Sequence, residues 1–277
     1  MDGGQMIQHA RHFFPVLLFS LLALSTAAHG HGRRFAYTQQ SAVLPTQGTE
    51  MEIWNTFRYS RDYFYRRLDT RCEFEYGIGG NLMTALYLNH EMKTYDGGQG
   101  APGGTKITEA TVSLSNEWKF KLTDPAADPV GFAIYTEATI GLDEAELEGK
   151  LILDKQVGPA VIACNLVLEH EWQNEIENGV AGTAKLLKPS IDAGIAWYVT
   201  ASFSLGVEAR YLNAIENGAL SHSALFIGPS LAYSSDKLWF ALTFLPQVAN
   251  LTGNVPGPLD LLGFERYQAR LLFSIEL

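Results

Sequence analysis

The chain is short of charge. Asp, Glu, Lys and Arg make up 18% of its 277 residues, where soluble domains carry about 25%. Basic residues are scarcest, with 20 Lys and Arg against 30 Asp and Glu. That balance argues against nucleic acid as a partner. There are two cysteines, Cys72 and Cys164. An exported chain could join them, but they fall on separate strands among alternating apolar residues and read as small wall positions. The N-terminal apolar run is too short to span a bilayer, which takes about 20 residues, and no later stretch is long or apolar enough. Any membrane location must then be reached as a closed β-barrel. The glycine-rich stretch 97–104 lacks the Gly-Lys-Ser/Thr ending of a phosphate-binding loop and reads as a flexible connection.

Aromatic residues make up 12% of the chain, and Gly occurs 26 times. Both suit a barrel with aromatic girdles and tight turns. Arg11 precedes an apolar run from Phe13 to Leu24, followed by Ser25, Thr26, Ala27 and Ala28. This is the pattern of a secretory signal, residues 1–28, with cleavage after Ala27, Ala28 or Gly30. Residues 29–48 form an extended segment or periplasmic strap. Residues 49–277 form the barrel.

The barrel reading rests on two-residue alternation. Leu68, Thr70, Cys72, Phe74, Tyr76 and Ile78 share one face; Arg67, Asp69, Arg71, Glu73 and Glu75 share the other. Similar alternation marks 130–142, 203–212, 225–233 and the C-terminal strand ending at Leu277. Weaker signals at 50–59, 81–92, 107–121, 145–154, 160–172, 186–199 and 237–247 bring the total to about twelve, an even number. The stretch 107–122 is also readable as a helix. Connections 93–106, 173–185 and 248–263 are the expected long outer loops, and 214–222 a moderate one. The first and fifth connections are short although outer. A soluble sandwich or lipocalin-like barrel shares the same period and is the alternative fold.

Arg33-Arg34-Phe35-Ala36-Tyr37, Leu44-Pro45, and Glu50, Glu52, Ile53 and Trp54 resemble the opening of an uncharacterised family of Gram-negative outer-membrane barrel proteins. Asn116-Glu117-Trp118-Lys119 and the Thr123-Asp124-Pro125 to Asp128-Pro129 turn, followed by Gly131-Phe132, extend the resemblance. It implies a barrel at a bacterial outer-membrane address, with no activity attached. One departure is the C-terminus: Leu277 stands where such barrels often end on an aromatic, with Phe273 four places earlier.

The primary functional expectation is a passive channel or structural barrel without catalysis. Its lumen candidates are Arg67, Asp69, Arg71, Glu73, Glu75, Glu137, Asp192, Glu208, Arg210, Arg266 and Arg270. Such charges set pore selectivity or pair across strands to stitch a filled barrel. The carboxylate excess favours cations weakly. A barrel-embedded lipid hydrolase or acyltransferase is the alternative. It would use His222 and Ser223 with a third polar group; His170, between Glu169 and Glu171, has no serine partner. A secreted soluble binding barrel comes third. His29-Gly30-His31 could bind Cu(II) or Ni(II) if cleavage followed Ala28, but a solvated terminus is the stronger reading, and no cofactor is expected. Expected partners are outer-membrane lipids and lipopolysaccharide, the barrel-assembly machinery and small solutes. Tyr59, Tyr65, Trp118, Trp197, Tyr233 and Trp239 are girdle candidates.

Overall fold

The structure is a computed structural model that describes residues 32–97, 104–177, 180–253 and 255–277. The signal region and His29-Gly30-His31 lie outside the described residues. Twelve strands follow in chain order: β1 (Thr49–Tyr59), β2 (Tyr65–Gly79), β3 (Leu82–Asp96), β4 (Lys106–Thr123), β5 (Gly131–Gly141), β6 (Glu144–Val157), β7 (Ala160–Glu177), β8 (Val180–Tyr198), β9 (Phe203–Glu216), β10 (Ala219–Ser234), β11 (Leu238–Ala249) and β12 (Tyr267–Glu276). Each pairs antiparallel with its chain neighbours. β1 closes the cylinder against β12, from Glu50 opposite Glu276 to Tyr59 opposite Tyr267. Closure leaves no edge, so every strand finds backbone partners on both sides without water.

The stretch 107–122 lies within strand β4. Its Leu114 and Trp118 are 58% and 45% exposed while Ser115, Glu117 and Lys119 are buried, a period of two that no helix gives. The same phase runs round the barrel. Phe74, Leu86, Leu88, Ile134, Leu166 and Val207 stand outward, where a soluble protein would not leave a continuous apolar belt exposed. Cys72 and Cys164 are free and half-buried. Placing a charge on this belt is costly. Leu114→Arg is expected to destabilise folding into a bilayer by about 2–4 kcal/mol, read from denaturant titration in vesicles.

Outward aromatics gather near both ends. Tyr59 and Phe244 both stack on Tyr267, at 5.0 and 5.8 Å between centroids, and Tyr233 stacks on Phe240 at 5.7 Å. Trp118 and Trp197 also face outward. Tyr65 and Trp239, both expected in the girdles, are buried on the inner face. Phase decides this. Tyr65 is two residues before the inward Arg67, and Trp239 two before the buried Ala241.

Connections at the end holding both termini are short: 80–81, 124–130, 158–159, 199–202 and 235–237. Within 124–130, the amides of Ala126 and Ala127 and the Lys121 ammonium hold the exposed Asp124 carboxyl below its usual range. At the opposite end, 97–105 and 250–266 are long, as expected. The expected loop 173–185 is not a loop. β7 and β8 stay paired up to Glu177 and Val180, so this hairpin projects past β6 and β9. The moderate loop 214–222 reduces to a two-residue turn. Asn217 and Gly218 have φ of 51° and 79°, the positive angles that tight hairpins require.

Candidate functional site

The lumen is occupied by the chain's own N-terminal segment. Residues 34–41 lie almost wholly buried inside the barrel, not outside it as a strap. The chain leaves the lumen at Leu44-Pro45, where a tight turn donates from Gly48 N to Pro45 O (2.9 Å) and reverses direction into β1. That turn sits on the end of β2: Gln47 N donates to Gly77 O, and Gly77 N to Gly48 O. A Cβ on Gly77 would come within 2.0 Å of Pro45 O, so the seat admits only glycine.

An irregular segment in a protein interior must find partners for its backbone, and here single side chains on the wall provide them. The buried Glu208 carboxylate accepts from three successive amides, Ala36 and Tyr37 at 3.0 Å and Thr38 at 2.7 Å, and from Thr243. Asn165 accepts from Gln39 N at 2.6 Å and donates back to Gln39 O at 2.9 Å. Asp154 accepts from Ser41 N at 3.2 Å. Apolar and cationic groups complete the packing. Phe35 fills the space left by Gly194, where a Cβ would lie 2.6 Å from the ring. Tyr37 joins a core of Trp54, Phe226, Trp239 and Leu272. The Arg270 guanidinium covers Tyr37 at 4.0 Å and Arg210 does so at 4.4 Å.

Beyond the plug, toward the long loops, the inward side chains become half-exposed and line a polar vestibule. Arg67, Asp69, Glu91, Lys93 and Lys188 retain between 23% and 32% of their side-chain exposure. Arginines gather on one wall and glutamates on the opposite one, each with a counter-charge among them: Asp69 pairs Arg58 and Arg67, and Lys150 pairs Glu148. Arg58, Arg67, Arg71 and Arg270 stand on β12–β2, and Glu144, Glu146, Glu148, Glu169 and Glu171 on β6–β7, half the circumference away.

Most predicted lumen residues are placed inside, and many are stitched. Arg67 bridges Asp69 at 2.5 Å and Glu91 at 2.7 Å. Arg71 donates two bonds to Glu137, at 2.9 and 3.2 Å. Arg210 meets Asp192 at 2.8 Å. Arg270 donates to Thr56 at 2.8 Å. Glu73 and Glu75 lie buried near the turn end, beside Glu50 and Glu52. Arg266 is a correction: it is exposed, because β12 begins at Tyr267 and alternation does not reach back to it. Its neighbour Glu265 is the buried one, facing Arg58 and Arg61.

Asp154, Asn165 and Asp260 were missed in the sequence. The first two interrupt apolar strands at inward positions, a usable signal. Asp260 lies in a loop and gave none. It supplies the third polar group beside His222, with Oδ2 at 3.0 Å from Nδ1 and also 3.0 Å from Ser223 N. The Ser223 hydroxyl is directed to Tyr211 at 3.3 Å, not to His222. His170 stacks on Trp172 at 4.0 Å, and its neighbours Glu169 and Glu171 both bind Lys188. Two carboxylate groups have ligand oxygens close enough to share a cation: Glu50, Glu52 and Glu75, and Glu146, Glu169 and Glu171.

A closed twelve-stranded antiparallel cylinder with an apolar exterior and polar interior defines a β-barrel of the outer-membrane class. The chain belongs to DUF6662, a family of unknown function, which matches residues 27–277. No curated protein matches it. Among solved structures it is similar to the COG4313 outer membrane channel from Pseudomonas putida F1, at 11% identity and a TM-score of 0.58, over 86% of this chain and 98% of the other. It is also similar to the translocator domain of the autotransporter NalP from Neisseria meningitidis, at 9% identity and a TM-score of 0.53, over 86% and 91%. These likenesses establish the fold.

Proposed function

We propose that this protein is a passive outer-membrane channel, closed at its periplasmic end by residues 34–41 and opened when that plug leaves the lumen. The observation that carries the reading is how the plug is held. Glu208, Asn165 and Asp154 hold its backbone through polar groups that water can replace, with a half-exposed charged vestibule beyond it. A barrel needing only to be filled could do so with wall side chains alone, as small barrels do. The charged vestibule suits small polar or charged solutes, and the carboxylate excess sets a weak preference for cations. On this reading residues 1–28 direct export and are removed, lipids and lipopolysaccharide surround the belt, and the assembly machinery inserts the chain. No catalytic step is assigned, since the Ser223 hydroxyl is not bonded to His222.

Single-channel recording of the mature protein in a planar bilayer tests this. The expected record is a closed baseline with brief, discrete openings and a reversal potential weakly favouring cations. A bilayer silent at all voltages, with insertion verified by heat-modifiable migration, would reject the channel. Anion-selective openings would reject the assigned selectivity.

A further inference from the structure

Four glutamates meet where the plug joins the barrel. Glu50 on β1 stands opposite Glu75 on β2, and Glu52 opposite Glu73. All four are buried. Like charges directly opposite one another in a sheet repel, and burial removes the water that would screen them. Arg33 of the plug and Lys119 lie close enough to act on the group electrostatically, but Glu117 joins on the acidic side. Carboxylates thus outnumber the cations that act on them.

The carboxylates are not arranged at random. Glu50 Oε1 accepts from the Trp239 indole N–H and the Ser274 hydroxyl. Glu52 Oε2 accepts from the Trp54 indole N–H at 2.6 Å. Each is held through one oxygen, which fixes the orientation of its carboxylate, as outer partners fix metal ligands. One oxygen each from Glu50, Glu52 and Glu75 all lie within 4.8 Å of one another. Two ligands on opposite sides of a calcium ion stand about 4.6–5.2 Å apart, twice the Ca–O distance. Glu73 is the independent sign. It is 1% exposed, and no amide, hydroxyl or cationic group donates to either carboxylate oxygen. Its neighbours are the carboxyl groups of Glu52 and Glu75, and that of Glu75 lies within side-chain hydrogen-bonding reach. A buried carboxylate with no donor at either oxygen is rare.

We propose that Glu50, Glu52 and Glu75 bind a divalent cation of the calcium class at the root of the plug, with the buried Glu73 beside them. Carboxylate oxygens alone suit a hard ion, and a site built from three protein carboxylates suits calcium better than magnesium. The vestibule group Glu146, Glu169 and Glu171 differs, because Lys188 already bridges two of its members. The site does not depend on the channel reading: it would serve equally in a barrel that never opens.

Terbium chloride replaces calcium and emits when excited through a nearby indole, and Trp54 and Trp239 each donate to a ligand carboxylate. The full mature chain, folded in lipid-free detergent micelles, is expected to give saturable tryptophan-sensitised terbium emission that calcium chloride displaces. Glu52→Gln with Glu75→Gln should weaken calcium binding at least about tenfold, while Glu146→Gln with Glu171→Gln leaves it unchanged. Calorimetry of the wild-type chain should detect the same saturable calcium binding without any optical probe; this arm decides the matter if the glutamate variant fails to fold. Absence of saturable binding to the folded wild type overturns the proposal. So does binding lost with the vestibule pair but retained in the root pair.

Discussion

Deleting residues 33–44 is expected to turn a mostly closed barrel into a constitutively open one, with mean conductance raised on the order of tenfold or more. The barrel itself does not need the segment for hydrogen bonding, since all twelve strands close on one another without it. What is lost is contents: Phe35, Ala36 and Tyr37 from the interior, and the backbone held by Glu208, Asn165 and Asp154. The freed carboxylates face water once the lumen floods, so their desolvation is relieved. Glu208→Ala should act in the same direction with the segment still attached. If the plug stayed in place, the amides of Ala36, Tyr37 and Thr38 would be buried without an acceptor, at about 1–3 kcal/mol each. Leaving the lumen hydrates all three. The variant is therefore expected to spend most of its time open, and Glu208→Gln, which keeps one acceptor oxygen, to fall between. Deletion protein that inserts, shows heat-modifiable migration and conducts no more than wild type would end the plug reading.

Asp260→Ala is expected to free the longest outer loop, 250–266, from the barrel. The loop bends inward: Leu261 is buried and Phe264 packs against Phe226 at 6.5 Å between centroids. Asp260 fastens it. Its carboxylate accepts from Ser223 N at 3.0 Å and Gly263 N at 2.9 Å and lies 3.0 Å from His222 Nδ1. Its own amide donates to Gln247 Oε1 at 2.6 Å. Truncation leaves two buried amides and an imidazole without their acceptor. A net loss of about 2 kcal/mol raises the population of the open loop roughly thirtyfold. Limited proteolysis of the folded barrel reads this directly, as faster cutting between 250 and 266 with the twelve strands intact. Equal cutting rates for variant and wild type would show that the apolar contact of Phe264, not Asp260, holds the loop.

Neither effect was visible in the sequence, although the strands that frame them were. Period two is a local property: Glu73, Glu75, Phe74 and Tyr76 separate onto two faces whatever the rest of the chain does. About twelve such segments leave few architectures, but the period itself is shared by a soluble barrel or sandwich, and the outward apolar belt of the structure is what marks closure in lipid. Errors arose where local pattern was weak. Turn-like composition around Asn174 and Gly182 suggested a loop where cross-strand pairing extends a hairpin, because pairing with a neighbour outweighs the modest strand propensity of single residues. Tyr65 and Trp239 were placed by residue type instead of by phase. The sequence by itself therefore determined an all-β chain of about twelve alternating strands and the facing of the strongest of them, each of which follows from residues adjacent along the chain. Only the tertiary structure decided what fills the lumen. Glu208 lies 172 positions from Ala36 and Asp260 lies 37 from Ser223. No periodicity links such pairs; closure of the cylinder brings them together, and burial then requires each amide to find a carboxylate.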